Sequence, residues 1–330
     1  MTPTQLQWAR VAKDAFTVAL FAYIAGMVAY FALLAFSRPW IGKVATTIAS
    51  FGAVGSLLAI VARGIADDRI PWGNMYEFSM VLSFLVVVAY LVLVERQIGS
   101  KTLGGFALFF AVVTMAMGAS FFYVGPGALL PALNSYWRQI HVTAMITASS
   151  LLGVGCIISF VFLFKDWSER GQLREAARRV PPPPPPIMGG SLDLDTAPEA
   201  AGEAAPHDLV ADGDGAVAER AVARGRFPSA ATLDRAAYRM ISFGFPIWTF
   251  GVICGAIWAQ QAWGRYWGWD PKETWSFITW TIFAGYLHAR ATSGWKGKRA
   301  AVVALVGFAS LFVTYYAVNL WIAGLHSYAK

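Results

Sequence analysis

Cysteine is scarce in this chain, which contains only two among its 330 residues. Cys156 and Cys254 lie within apolar stretches and form no Cys-x-x-Cys spacing, so the sequence argues against thiol redox chemistry and a disulfide framework. We interpret both as ordinary packing residues. The sequence also lacks a carboxylate pair, a Ser/His/Asp set and a phosphate-binding loop. The sequence therefore offers no residues that could perform the chemistry of an ATP-driven pump or of a hydrolase.

Charge is scarce as well. Charged residues make up 14% of the chain and hydrophobic residues 57%, with a mean hydropathy of +0.52, whereas about a quarter of the residues in soluble domains are charged. A water-soluble fold is therefore not expected. The net charge of +7 and the pI near 9.5 would suggest a nucleic-acid partner for a soluble protein. Here membrane topology accounts for most of the basic excess, and we predict no nucleic-acid partner.

Long apolar stretches are abundant, and they reach the roughly 20 residues that an α-helix needs to cross the hydrocarbon core. A bilayer cannot satisfy open backbone groups, and these runs lack the alternation of a barrel, so they are predicted to be helices. We predict an all-α, polytopic membrane helical bundle with about eight transmembrane helices, near residues 15–36, 44–61, 75–94, 103–124, 142–164, 241–261, 275–289 and 300–322.

The first run is interpreted as a helix rather than a signal peptide. It is long, lacks a clear small-residue cleavage site and is followed by Arg38, Trp40 and Lys43.

Basic residues mark one side of this arrangement, and by the positive-inside rule that side is cytoplasmic. Both termini, the loop 123–138 and the Trp-rich segment 263–275 are then predicted to lie on the outer face of the cell membrane. The basic residues in the three loops concerned are Arg96 and Lys101, then Arg170, Arg174, Arg178 and Arg179, then Arg290, Lys296, Lys298 and Arg299.

One segment does not belong to the bundle. Residues 166–238 contain six consecutive prolines (181–186) and an Ala/Gly/acidic stretch with few large apolar residues, so they cannot bury enough surface to offset the entropy of ordering. We predict a cytoplasmic, mostly disordered linker with a helix at its Arg-rich start; a docking site for a partner at the prolines is an alternative. The linker separates a five-helix part (1–165) from a three-helix part (239–330).

The segment 263–275 contains five large aromatic residues, two glycines and four charged residues between two apolar runs. Trp rings offer flat faces to a planar ligand, glycines allow close backbone approach, and charges can bind a polar edge, as haem would require. An aromatic belt at the headgroup level is the alternative, but a belt needs no glycines and no Asp-Pro-Lys-Glu run. Arg265 and Lys272 are the predicted partners of the haem propionates. The candidate ligand-binding residues are Trp263, Arg265, Tyr266, Trp267, Trp269, Asp270, Lys272, Glu273 and Trp275.

Histidine occurs four times. His141, at the start of the fifth predicted helix, and His326, after the eighth, fall on the same side as the Trp-rich segment, as axial ligation of haem iron would require; each could instead be a capping or interfacial residue. His288 lies about 20 Å along the seventh helix from Trp275 and is a functional candidate as an ionisable group within a span, or simply marks the end of a short helix. His207 lies in the linker and is assigned no role.

A further outer loop precedes the third predicted helix and contains Asn74, Tyr76 and Glu77. Glu77 near a helix N-terminus is favoured by the helix dipole, so capping is one explanation. The other is that the three residues brace the haem platform or its ligands through hydrogen bonds.

The run from Trp263 to Trp275 closely resembles the WWD signature of haem-handling proteins. The Pro-Lys-Glu-Thr-Trp continuation is typical of the CcsA (ResC) family of system II cytochrome c maturation rather than of the related CcmC and CcmF proteins. The segment around Asn74 is similar to that family's Asn-x-Tyr-Glu segment, and His141, His288 and His326 match its three histidines. The resemblance extends from about residue 67 to the C-terminus, excluding the linker.

The resemblance implies a subunit of a holocytochrome c synthetase (haem lyase) complex. With a CcsB (ResB) partner, such a protein moves b-type haem to the outer face and presents it to apocytochrome c for thioether attachment to a Cys-x-x-Cys-His motif. His141 and His326 would ligate the external haem, and His288 would serve an entry site in the membrane. A thiol-reducing protein is a further expected partner. The alternative is a CcmC-like exporter or chaperone that binds haem without ligating it to a protein.

Overall fold

The computed structural model describes residues 2–127, 133–179, 227–322 and 324–325, and these residues form helices and connecting segments without a strand. Eight helices follow one another within the described residues. They are α1 (Pro3–Phe36), α2 (Pro39–Asp67), α3 (Met75–Ile98), α4 (Gly104–Phe121), α5 (Tyr136–Arg179), α6 (Ala230–Trp263), α7 (Pro271–Thr292) and α8 (Lys298–Trp321).

The predicted all-α membrane bundle is confirmed, and each of the eight predicted spans corresponds to a helix. Seven of the helices in the described residues are long and apolar enough to cross a membrane. The exception is α7, which has Lys272 and Glu273 in its first turn and Arg290 in its last. Together with these end charges, the Ser, Thr and His residues inside this 22-residue helix lower its mean hydropathy.

Small residues bring α1 and α2 together as a helical hairpin. α1 ends at Phe36, the next residue, Ser37, adopts the left-handed conformation, and α2 begins at Pro39. The buried faces of both helices consist largely of alanine and glycine. A side chain at Gly52, for example, would lie 2.6 Å from the ring of Tyr23. Close approach through small residues is how helices associate in a bilayer, where the lipid competes for apolar surface.

The other helices pack around α3 and α5. α3 contacts α2, α4 and α5, while α5 packs along α6 and also against α8, which in turn contacts α7. Both α3 and α8 contain a π-helical segment, at Tyr90–Glu95 and Val313–Ala317 respectively. π-Helical turns occur frequently at functional sites, and the second of these contributes to the cavity described below.

Helices extend into both ends of the predicted linker. α5 continues to Arg179, which includes the predicted Arg-rich helix, and α6 begins at Ala230, where Ser229 caps it by accepting a hydrogen bond from the backbone N–H of Thr232. Residues 230–238, which the predicted disordered linker (166–238) included, are instead helical at the start of α6, where Leu233 and Ala237 are buried in the core. Residues 180–226 of that predicted linker lie outside the described residues.

Candidate functional site

A cavity of about 980 Å³, part of which is open to solvent, lies where several helix ends meet. It is formed by the start of α3 and the loop before it, the start of α5, the end of α6, the loop 264–270, the start of α7 and the π-helical segment of α8. The lining includes Trp72, Asn74, Met75, Phe78, Arg138, His141, Met145, Trp258, Trp263, Tyr266, Trp267, Lys272, Glu273, Thr314 and Tyr315.

His141 lies in the cavity wall with its ring held in a defined orientation. Its Nδ1 lies 2.7 Å from the carbonyl oxygen of Gly251 in α6, a bond in which the ring nitrogen donates. The neutral tautomer then has its lone pair on Nε2, the arrangement typical of metal-binding histidines. Glycine at position 255 makes room for the ring, because a Cβ there would lie 2.7 Å from Nδ1 of His141.

Aromatic rings extend from His141 along the cavity wall. The ring of Trp258 is stacked with His141 at a centroid distance of 6.1 Å and an interplanar angle of 25°. Trp263 follows at 5.1 Å from Trp258, and Tyr266 and Trp267 line the same cavity. Three of the aromatic residues predicted from the Trp-rich segment therefore lie together with His141.

Two cations line the cavity, and only one of them was predicted. Lys272, in the first turn of α7, places Nζ 3.3 Å from Oδ1 of Asn319 and 3.8 Å from Sδ of Met75. Arg138 is 3% exposed; its Nε donates to the carbonyl of Leu133, and its Nη1 donates to the carbonyl of Trp72 at 3.1 Å.

Arg265 is not among the residues that line the cavity. Its side chain lies across the backbone of Gly268, where a Cβ would be 1.2 Å from Nη1 of Arg265. Its Nη1 is 3.6 Å from Oε2 of Glu273. The guanidinium of Arg265 therefore packs on the backbone of its own loop, 264–270. Any side chain at position 268 would overlap with it, so glycine is required there.

Asp270 and Glu273 organise the loop. Asp270 caps α7, and the two carboxylates form a capping box. Oε2 of Glu273 also accepts from the backbone N–H of Gly268 at 2.8 Å. Oδ1 of Asp270 accepts from the backbone N–H of Leu325 at 2.7 Å. Asp270 thus joins the Trp-rich loop to the segment that follows α8.

Replacing Asp270 with alanine is expected to destabilise the protein by about 1 kcal/mol or more, because the cap of α7 is lost and the N–H of Leu325 loses its acceptor. Thermal unfolding in detergent measures the first effect, and limited proteolysis of the C-terminal segment measures the second. Ser229→Ala, which removes the cap of α6, is the matched control. It should lower stability without increasing cleavage near residue 325. Equal cleavage in both variants would mean that the hydrogen bond from Leu325 to Asp270 does not hold the C-terminal segment.

Two predicted aromatic residues lie outside the cavity lining. Trp269 is 64% exposed, and its φ of 56° is in the left-handed region, which a bulky residue rarely adopts and which often marks functional sites. Its ring meets Trp267 edge-on at 5.7 Å. Trp275 lies one turn into α7 and is half-buried.

The loop before α3 is held by a buried ion-pair network. Glu77 is fully buried, and its carboxylate lies within 3.0 Å of the guanidinium groups of Arg63 and Arg69. It also accepts from the backbone N–H of Gly73 at 2.8 Å and from Nδ2 of Asn74 at 3.1 Å. Asn74 in turn caps α3 by accepting from the N–H of Glu77. Asn74 therefore both caps α3 and lines the cavity.

Tyr76, the third residue of this predicted group, is buried against other elements. Its ring packs 5.3 Å from Phe16 and 5.1 Å from Tyr123, and the guanidinium carbon of Arg63 lies 5.7 Å from its centroid. Tyr76 supports the loop from behind rather than facing the cavity.

The other two predicted iron ligands are placed differently from His141. His288 is exposed near the far end of α7, 16 residues beyond Lys272, and 16 residues of helix span roughly 24 Å. The structure therefore does not bring it to the cavity. His326 lies outside the described residues, and the residue before it is Leu325, which is bonded to Asp270.

The lining residues that were not predicted from the sequence include Arg138, Trp258 and Trp72. Arg138 lies three residues before His141, a spacing that puts both on one helix face, so the signal was present. Trp258 lies inside an apolar run, where a single Trp is indistinguishable from a lipid-facing residue. Trp72 adjoins the predicted Asn74 segment.

A polytopic helical membrane protein with a tryptophan-lined cavity at one end of the bundle is the class that this fold and site define. The chain belongs to the cytochrome C assembly protein family, whose sequence profile matches residues 72–326. Similar relatives bear the name cytochrome c biogenesis protein CcsA. That of Gloeobacter violaceus is 36% identical and covers 93% of this chain and 94% of its own; that of Synechocystis is 33% identical, covering 92% of each chain. That of Porphyra purpurea is 32% identical, covering 92% of this chain and 93% of its own.

The resemblance to the CcsA family is thereby confirmed, and the chain is a member of a cytochrome c biogenesis family. Among solved structures, cytochrome c haem lyase CcmF matches with a TM-score of 0.63 at 16% identity. The match covers 96% of this chain and 47% of the CcmF chain, so this chain spans about half of that protein's length. At this identity the match shows a shared fold.

Proposed function

We propose that this chain, together with a CcsB/ResB-like membrane protein, carries b-type haem to the outer face of the cell membrane and presents it to apocytochrome c. The observation that supports this most directly is His141. Its Nδ1 donates to the carbonyl of Gly251, so the lone pair of the neutral ring is on Nε2, and the ring stands in a cavity lined by tryptophans. Axial histidine ligation beside aromatic ring faces is what a haem in transit requires.

The composition of the cavity fits haem as cargo. The porphyrin is large, flat and apolar, and Trp258, Trp263 and Trp267 supply aromatic surface for it. Its two propionates are anionic, and charge-assisted hydrogen bonds to cations are the stronger kind. Lys272 provides such a cation in the lining. His326, which follows the segment tied to Asp270, is the proposed second axial ligand.

In the proposed reaction each client cysteine adds across one haem vinyl group. The sulfur bonds to one vinyl carbon and the thiol proton goes to the other, so two thioether bonds form without net oxidation or reduction. The client must arrive with reduced thiols, and a thiol-reducing protein is the proposed source. Two histidine ligands would keep the iron six-coordinate until the histidine of the client's Cys-x-x-Cys-His motif replaces one of them.

The proposed orientation places the cavity, the Trp-rich segment and both termini outside, with the linker cytoplasmic. In support, Arg290 lies in the last turn of α7, opposite the cavity, and Lys296 and Lys298 follow that helix, as the positive-inside rule requires. His288, exposed on that far half of α7, is proposed to meet the partner protein and to serve haem entry within the membrane.

The test is an absorbance spectrum of the complex purified with its partner, followed by addition of reduced apocytochrome c. We expect the spectrum of a six-coordinate b-type haem, and then its conversion to a covalently bound c-type haem on the client. Haem that binds but is never attached would favour the CcmC-like exporter or chaperone. A complex without haem absorbance, even after haem is added, would refute both functions.

A further inference from the structure

We infer that Asn319 is a positioning residue for Lys272, and that it holds the ammonium group of Lys272 at the cavity without neutralising its charge. The inference rests on the proposed function, in which Lys272 binds a haem propionate. Asn319 belongs to α8, is 2% exposed and is not among the described residues that line the cavity. Its effect on a ligand therefore passes through Lys272.

The hydrogen bonds of the Asn319 amide are the first observation. Its Oδ1 accepts from Nζ of Lys272 at 3.3 Å, and its Nδ2 donates to the backbone carbonyl of Tyr315 at 2.5 Å. An ammonium group can only donate and a carbonyl can only accept, so one orientation of the amide satisfies both neighbours. The bond to Tyr315 thereby fixes Oδ1 toward Lys272.

The backbone that orients this amide is itself held in place, which is the second observation. Tyr315 lies in the π-helical segment of α8, and its hydroxyl is 2.9 Å from Oγ of Ser149 in α5. Its ring packs against Phe78 of α3 at a centroid distance of 4.4 Å. Contacts with two other helices therefore fix the carbonyl to which Asn319 donates.

The charges around Lys272 are the third observation. Its Nζ contacts the amide of Asn319 and, at 3.8 Å, the sulfur of Met75, and both of these groups are neutral. Asp270 attracts the ammonium group electrostatically, but its carboxylate accepts from the backbone N–H groups of Lys272 and Leu325. An amide oxygen orients an ammonium group and leaves its charge available to a ligand carboxylate, to which charge-assisted bonds are the stronger kind.

The experiment measures the affinities of haem and of haem dimethyl ester, whose propionates are uncharged, for the complex of full-length chain and partner. Asn319→Leu removes the acceptor of Lys272 and should weaken haem binding by about tenfold, the lower end for a hydrogen bond to a charged group, with the ester almost unaffected. Asn319→Asp keeps the shape of the side chain but pairs Lys272 with a carboxylate. It should weaken haem binding at least as much, again without weakening the ester.

A double variant shows whether the effect passes through Lys272. Lys272→Met should lower the ratio of haem to ester affinity, and Asn319→Leu added to it should lower that ratio no further. Thr114→Val is the matched control, because it removes a buried hydrogen bond from a side chain to the backbone of α4. It should leave both affinities unchanged.

Equal weakening of haem and its ester by Asn319→Leu would overturn the inference and show that Asn319 only stabilises the fold. An unchanged ratio in Lys272→Met, or a further fall of the ratio in the double variant, would overturn it as well. If Asn319→Leu does not fold, Asn319→Asp decides, because an unchanged ratio in that variant contradicts the inference. Wild-type protein that binds neither ligand would refute the proposed function itself.

Discussion

Replacing His141 with alanine is expected to remove the haem absorbance of the purified complex and to stop cytochrome c maturation. Nδ1 of His141 donates to the carbonyl of Gly251 at 2.7 Å, so the lone pair that can bind iron is on Nε2. Alanine supplies no ligand atom, and the haem content per chain should fall by about tenfold or more, since losses of that size follow even from removing an outer-shell partner of a ligand. Absorbance of the purified complex and haem staining of client cytochromes measure the two effects.

A second variant tests the orientation of the ring rather than its presence. Gly255→Val places a side chain where His141 packs, since even a Cβ would lie 2.7 Å from Nδ1, and it should lower haem content while His141 remains. Gly153→Ala is the matched control, because its Cβ would meet nothing nearer than 3.7 Å. His207→Ala tests a histidine assigned no role. Haem content and maturation unchanged in His141→Ala would exclude this residue as an iron ligand.

The helical fold could be predicted because it follows from one physical requirement. An apolar run of about 20 residues must satisfy its backbone internally, and this requirement is local to each run. The helix ends at the cavity also have local causes. Asn74 and Asp270 are residues whose side chains accept from the backbone N–H groups of a first turn, and Gly264 readily adopts the left-handed conformation that ends α6.

The cavity could be predicted only in part, because its lining depends on how the loop 264–270 folds. From spacing alone, Arg265 and Lys272 are equally good partners for an anion. The fold of the loop distinguishes them, because it places Arg265 over Gly268, a contact that no sequence periodicity predicts. The start of α7 at Pro271 directs Lys272 into the cavity. Arg138 and Trp258 enter the lining from α5 and α6, which are distant in sequence and are brought together by helix packing.

The two explanations of Glu77 illustrate the same limit. The sequence leaves capping of α3 and bracing of a haem platform as alternatives, and the geometry places Glu77 both in the first turn of a helix and in a buried ion-pair network. Glu77 occupies the first turn of α3 and simultaneously binds Arg63 of α2 and Arg69 of the loop. Arg63 lies 14 residues before Glu77, just after the second predicted span (44–61), where no local pattern indicates a partner.

Replacing Glu77 with glutamine is expected to cause a larger loss of stability than replacing Asp270 with alanine or Asp166 with asparagine. The change keeps the shape of the side chain but removes the charge that faces Arg63 and Arg69, whose side chains are only 4% and 14% exposed. Removing one partner of a buried ion pair costs about 3–5 kcal/mol, because the remaining charge is left uncompensated. Asp67 still faces both arginines, so the lower part of that range is expected.

The apparent Tm in detergent should then fall by roughly 5–10 °C. Haem content should fall with it, because Trp72, Gly73 and Asn74 line the cavity and lose the carboxylate that holds their loop. Asp166→Asn is the matched control: its pair with Arg170 is solvent-exposed on the arginine side, and such pairs contribute less than about 1 kcal/mol. A Glu77→Gln variant as stable as Asp166→Asn would mean that the loop is held by its backbone and by Asp67 alone. A variant that loses stability but keeps its full haem content would instead show that the ion-pair network of Glu77 is not needed for haem binding in the cavity.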